Sequence, residues 1–177
     1  NASIYNLGKN VAVIGMGNAA MDVARTALRN GAERVTLYAR GNEITASSHE
    51  VSYATLDGAE FVFGMQIDSI NEKGPVFRKA ILDEEDNIIG EEEELIQVEA
   101  DSTIISISQG PRKKLIRTTF GLEGSDKGLL IVDDNYMTTK PGVFAAGDVI
   151  TGSKTVVHAV EGAKKAAEAM IQYMDNL

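Results

Sequence analysis

The chain has 177 residues, 44% of them hydrophobic, a length and composition that suit one ordinary globular domain or two small ones and exclude a disordered chain. A formal net charge of −9 argues against nucleic acid, whose phosphates demand clustered Lys and Arg, and the lack of cysteine excludes a catalytic thiol, a redox disulfide, an iron–sulfur ligand set and a Cys-type zinc site. No apolar run approaches the ~20 residues of a membrane span and no secretory signal is visible, so a cytoplasmic protein is expected.

Asn1-Ala2 reads as the remnant of a cleaved tag, and fold reasoning starts at about Ser3. Residues 11–15 form a short apolar run ending at a glycine, the pattern of a buried parallel strand. Residues 18–30 follow as a helix, with Ala20, Met21, Ala24, Ala27 and Leu28 at helical spacing and Gly31 as its stop. Residues 34–39 give a second strand, and strand–helix–strand order implies a right-handed parallel crossover. Ser47 to Leu56 reads as a second helix, capped by Ser47 or Ser48 with Glu50 in its first turn, and residues 59–63 as a third strand.

After Gly64, segments 65–71, 75–83 and 92–99 predict a three-stranded antiparallel meander, with turns at Asn71 to Gly74 and Glu84 to Asn87. The run Glu91 to Glu94 is expected to be a solvated strand edge. Residues 103–107 return to a buried strand, and Gln109-Gly110-Pro111 marks a domain boundary, giving 8–109 and 110–177. The second part is loop-rich, with strands at 129–132 and 142–148 and a long helix over 154–174. The stripe of that helix is Val156, Val160, Ala163, Ala167, Met170, Ile171 and Met174.

The turn Gly15-Met16-Gly17-Asn18-Ala19-Ala20 fits G-x-G-x-x-A between a strand and a helix. Gly15 permits the tight turn, Gly17 lets a pyrophosphate approach the backbone, and Ala20 allows close helix–strand packing. The helix N-terminus at Asn18 and Ala19 offers free N–H groups and the positive end of the dipole. These observations point to an α/β fold with a Rossmann-like parallel sheet that binds a dinucleotide. The end of the second strand selects which one. NAD-binding units place a carboxylate there, about 20 residues on, to bond the ribose 2′-hydroxyl. This chain has Tyr38-Ala39-Arg40, and Arg40 can pair with a 2′-phosphate, so NADPH is favoured and NADH is the alternative.

A second motif lies in Thr138-Thr139-Lys140-Pro141-Gly142-Val143-Phe144-Ala145-Ala146-Gly147-Asp148. It resembles the T-x-x-P-G-V-F-A-x-G-D segment of two-dinucleotide flavoproteins. The resemblance implies that Gly147, Asp148 and the backbone at Val156 serve FAD. With Ala24-Arg25-Thr26-Ala27, Gly31-Ala32, Ser48 to Phe61 and Ile107 to Pro111, the chain is similar to the glutamate synthase small (beta) subunit family over nearly all of 10–174. Gln109 falls in that family's I-G-Q-x-P, which makes it a cofactor-binding candidate, and Ser108 stands where the family has glycine. Ala39 replaces the first of the family's two arginines. Ferredoxin:NADP oxidoreductase subunits and dihydropyrimidine dehydrogenase share the same module.

The family's FAD domain has an N-terminal half with its own glycine motif, and this chain carries no such half. The resemblance therefore implies an excised segment: an NADPH domain with the C-terminal half of an FAD domain. Its expected partners are the missing half-domain and a large catalytic subunit. Alone it is expected to be inactive and to self-associate through the bared helix stripe. No side chain is assigned as a catalytic acid or base, and no metal is expected, because the cofactors carry the chemistry. His49 and His158 are lone histidines without such roles, and Asp22 and Arg25 are expected to pair one helical turn apart. Two alternatives stay open, a flavin-free nucleotide-binding regulator and a related flavoenzyme. A thioredoxin-reductase-like disulfide reductase is disfavoured by the lack of cysteine.

Overall fold

The computed structural model describes residues 5–107, 110–111 and 113–176. The chain divides into two compact units, Asn1–Ser108 and Gln109–Leu177. The first is built on a four-stranded parallel sheet, ordered β3-β2-β1-β8, of β1 (Asn10–Ile14), β2 (Arg34–Tyr38), β3 (Glu60–Val62) and β8 (Ser102–Ile105). Helix α1 (Asn18–Arg29) connects β1 to β2, and α2 (Ser48–Asp57) connects β2 to β3. Ala20, Met21, Ala24 and Ala27 of α1 are buried in one core cluster with Val11, Val13, Val35 and Leu37. The helix stops where the sequence predicts. Gly31, at φ +100°, donates to Leu28 while Ala32 donates to Ala27, a pairing that satisfies two terminal carbonyls. Ser47 caps α2 by accepting from the Glu50 N–H at 3.4 Å.

The sheet's other face is covered by the meander: β4 (Met65–Asn71), β5 (Gly74–Leu82), β6 (Ile88–Glu91) and β7 (Ile96–Gln97). Here the structure corrects the sequence. The third meander strand is not one segment over 92–99, but β6 on one half of β5 and β7 on the other. The break falls on the glutamate run, where like charges repel, and Arg78 draws the chain aside. Its side chain donates to the Glu93 carbonyl at 2.9 Å and pairs with Asp68 at 2.9 Å.

Arg25 departs from expectation too. It pairs not with Asp22 but across to α2, with Asp57 at 3.0 Å and Glu50 at 3.3 Å, and its guanidinium lies 4.9 Å from the Tyr53 ring centroid. An i,i+3 pair on one helix ties nothing together, whereas these contacts join two helices. His49 sits beside the same Tyr53 ring.

The second unit contains α3 (Lys114–Thr118), α4 (Asp148–Thr151) and α5 (Val156–Asp175). The short α3 lies in a stretch the sequence reads as loop. Neither 129–132 nor 142–148 forms a regular strand. They make single bridges, Gly124 with Leu130, Val132 with Thr138 and Met137 with Phe144. The cause is where the N–H groups go: Leu130 donates to Val149 and Ile131 to Glu123, so successive residues bond to different segments and no ladder propagates. On α5 the predicted stripe is exposed. The face packed within the unit is the small-residue one, where Gly162 and Ala166 are buried and Gly162 lets Ala146 and the Gly147 backbone come close.

Two carboxylates fasten the first unit. Asp101 accepts from the N–H groups of Lys9 and Asn10, both at 2.8 Å, and joins the start of β1 to the start of β8. The Asn10 and Lys9 N–H groups hold its carboxyl below the ordinary carboxylate value, and the Arg25 hydrogen bond does the same for Asp57. A depressed folded pKa stabilises the fold above the unfolded value of about 4, and that stability is lost as pH falls through the folded value. The urea midpoint is therefore expected to fall on acidification below about pH 4, and Asp57→Asn and Asp101→Asn to flatten that acid limb.

Candidate functional site

The parallel sheet gathers six of the predicted residues at one end. Gly15 leaves β1 at φ +135°, donating its N–H to the Tyr38 carbonyl at 3.0 Å. A side chain there would fall on the Ser106 carbonyl oxygen, so the position admits only glycine. Gly17 is the N-cap of α1 at φ −89°, ψ 175°, a conformation open to any residue. A methyl at Gly17 would have only Thr45 Oγ1 near it, at 3.7 Å. Gly17 thus leaves space in front of the helix rather than meeting a backbone requirement. No side chain caps α1 and no acidic residue sits in its first turn, so the N–H groups of Asn18 and Ala19 lack intrahelical acceptors. Ala19 is exposed and Ala20 fully buried beneath the turn. A bare, positively polarised helix start behind an open glycine is a cradle for phosphate oxygens.

The loop after β2 lies along this turn, which the sequence did not announce. The Met16 carbonyl accepts from the Thr45 N–H at 3.1 Å, the Ala46 N–H at 2.9 Å and the Thr45 hydroxyl at 3.2 Å. The Asn18 side-chain oxygen accepts from the Ser47 N–H at 2.8 Å. Asn18 is therefore a brace between helix and loop, and Thr45 is a residue that sequence reasoning missed. Its only prior signal was a hydroxyl among polar loop residues. Arg40 stands at the start of that loop, exposed, directly after the buried Ala39. A cleft of about 120 Å³ in the same unit, lined by Asn10, Arg34, Thr36, Tyr38 and Glu99 among others, includes none of these residues.

In the second unit Gly147, at φ +75°, precedes Asp148, the first residue of α4. Asp148 Oδ1 accepts from the Lys154 N–H at 3.2 Å, closing the turn that leads into α5. Val156 opens that helix and is exposed, and Thr155, its N-cap, makes no capping bond to the backbone. The Thr155 hydroxyl instead lies 2.7 Å from His158 Nδ1. A 20-residue helix with an exposed, uncapped start beside a Gly-Asp turn suits a group that carries negative charge. Gln109 and Ser108 lie outside the described residues.

Among the described residues no helix is long and apolar enough to cross a membrane, and no group of His, Cys, Asp and Glu has the spacing of a metal site.

The sequence profile of a family described as pyridine nucleotide-disulphide oxidoreductase matches residues 2–163. The glutamate synthase [NADPH] small chain of Halomonas elongata is 32% identical over 183 residues, which cover 95% of this chain and 39% of that protein. The NAD-dependent dihydropyrimidine dehydrogenase subunit PreT of Escherichia coli is 31% identical over 172 residues, 96% of this chain and 38% of that protein. The chain thus spans about two fifths of the length of these relatives. The crystal structure of T. acidophilum thioredoxin reductase superposes with a TM-score of 0.74 at 25% identity, over 99% of this chain and 55% of that one.

Proposed function

The chain belongs to the pyridine nucleotide-disulphide oxidoreductase family, and from that premise we propose that it is the NAD(P)H-binding module of a flavin-dependent oxidoreductase of the glutamate synthase small-subunit type. The observation that carries the proposal is the uncapped start of α1 behind Gly17, with Arg40 at the adjoining loop. Here Gly15 shapes the turn and Gly17 with the Asn18 and Ala19 N–H groups holds the pyrophosphate. Ala20 seats the helix on the sheet, and Arg40 meets the 2′-phosphate of NADPH. Gly147, Asp148 and the start of α5 at Val156 would hold FAD, which when bound accepts hydride from the reduced nicotinamide. The protein's own contribution is geometry and field: a fixed turn, two helix starts and a guanidinium.

Relatives of nearly equal identity carry NADPH in one name and NAD in another, so the preference of this chain must come from its own loop. The domain division at residue 109, the FAD half-domain that would complete the second unit and the inactivity of the chain alone belong to the same proposal. The words small chain and subunit in the relatives' names support a larger partner. The exposed Val156, Val160, Ile171 and Met174 on α5 support self-association of the isolated chain. A disulfide-reductase reading, suggested by the thioredoxin reductase fold, finds no cysteine to work with.

Parallel calorimetric titrations with NADPH and NADH test the site. Arg40→Ala is expected to weaken NADPH binding about tenfold or more, the size of one lost charge-assisted hydrogen-bonded pair, and to leave NADH unchanged. Equal NADPH affinity in both proteins removes Arg40 from the site.

A further inference from the structure

The meander reaches the nucleotide loop at one point. At the tip between β5 and β6, Asp86 Oδ1 accepts from the Asn42 side-chain amide at 2.7 Å. Asn42 lies two residues beyond Arg40. Both partners are held. Asp86 sits at φ +62°, its N–H on the Asp83 carbonyl at 3.2 Å, while Asp83 Oδ1 accepts from the N–H groups of Glu85 and Asn87 at 2.9 Å and 2.8 Å. On the other side the Gly41 carbonyl accepts from the Gly64 N–H at 3.4 Å, and Ile88 Cδ1 comes up against the space at Gly41. The tip is therefore a braced turn resting on the loop, and the Asp86 carboxylate has a fixed place beside the loop that carries Arg40.

Between Arg34 and Lys73 the only Lys or Arg is Arg40, and Glu43 follows it on the same loop. Among the described residues Arg40 forms no ion pair, so the attraction it offers a phosphate depends on the charges nearby. A doubly charged 2′-phosphate arriving at Arg40 feels the carboxylate at Asp86 as a like charge, whereas the neutral 2′-hydroxyl of NADH does not. We infer that Asp86 is a specificity-determining residue: through the Asn42 contact it places a negative charge beside the loop that carries Arg40 and lowers the advantage of NADPH over NADH. The inference rests on the nucleotide site proposed above and adds a residue from the meander, outside the strand–helix–strand unit that carries the glycine turn.

Asparagine and glycine both tolerate a left-handed backbone, so two substitutions remove the charge without straining the turn. Asp86→Asn can keep the hydrogen bond from Asn42, and Asp86→Gly cannot. With the full chain, calorimetric Kd values for NADPH and NADH are measured at low and at high salt. Both variants are expected to bind NADPH about threefold more tightly than the wild type at low salt, with less gain at high salt, the response of a like-charge repulsion screened by ions. NADH affinity is expected to stay the same in both. An Asp86→Asn protein with unchanged NADPH affinity, or with NADH affinity altered by the same factor, overturns the inference and leaves the nucleotide site standing. A wild-type chain that binds neither nucleotide overturns both. Thermal unfolding of each variant confirms that the comparison is between folded proteins.

Discussion

Alanine at Gly17 is expected to leave the first unit folded and to weaken dinucleotide binding about 100-fold, the cost of one or two lost hydrogen bonds to a charged group. The backbone at Gly17 is ordinary, at φ −89° and ψ 175°, and the space where a methyl would go is empty to 3.7 Å. The stability cost is that of a poorer N-cap, about 1 kcal/mol. The empty space is nevertheless the one a pyrophosphate must enter to reach the Asn18 and Ala19 N–H groups. Gly15 makes the opposite case. At φ +135°, with the Ser106 carbonyl in the path of any side chain, Gly15→Ala is expected to lower stability by several kcal/mol before affinity can be read, from strain and clash together. Unfolding and titration on the two variants separate these roles. A Gly17→Ala protein that binds NADPH as the wild type does would move the pyrophosphate away from this turn.

That contrast shows what the sequence carries. The motif already separates the roles expected of the two glycines, the tight turn for Gly15 and the phosphate's approach for Gly17; backbone geometry adds that a positive φ and the Ser106 carbonyl hold Gly15 to glycine, whereas Gly17 has an ordinary conformation. The strand–helix–strand unit is legible because its signals are local: an apolar run, a helical period and a glycine stop, all within residues 11–31. The broken meander edge was not, because β6 and β7 are defined by which half of β5 they meet, and Arg78 decides that through the Glu93 carbonyl. The tail misled for a related reason. An apolar run such as 129–132 signals burial, but strand structure needs a neighbour in register over several residues, and Leu130 and Ile131 bond to separate segments. The stripe on α5 reads as apolar and bare and is exposed in the structure; what the sequence does not announce is that Gly162 and Ala166 make the packed face, because small residues let backbone approach backbone. At the candidate site, Arg40 is legible as a charge at a strand end, whereas the contacts of Thr45 with Met16 and of Asp86 with Asn42 are not, since they span 29 and 44 residues.

Truncation of Phe77 is expected to cost the first unit about 3–5 kcal/mol, the range for a fully buried phenylalanine replaced by alanine. Phe77 on β5 has no exposed surface, and its ring stacks on Tyr38 with centroids 4.7 Å apart and planes 27° from parallel. It joins Ala12, Ile14 and Tyr38 in one cluster, with Val62, Met65, Ile67, Ile96 and Val98 packed around it. Those residues come from both sheets, so one side chain fastens the meander to the face of the parallel sheet opposite α1. The same burial pushes the Tyr38 phenol above its ordinary value. An ordinary domain is stable by only 5–15 kcal/mol, so Phe77→Ala is expected to bring the urea midpoint down by a large fraction. Phe77→Leu, which leaves a smaller void, is expected to lose roughly 1–2 kcal/mol.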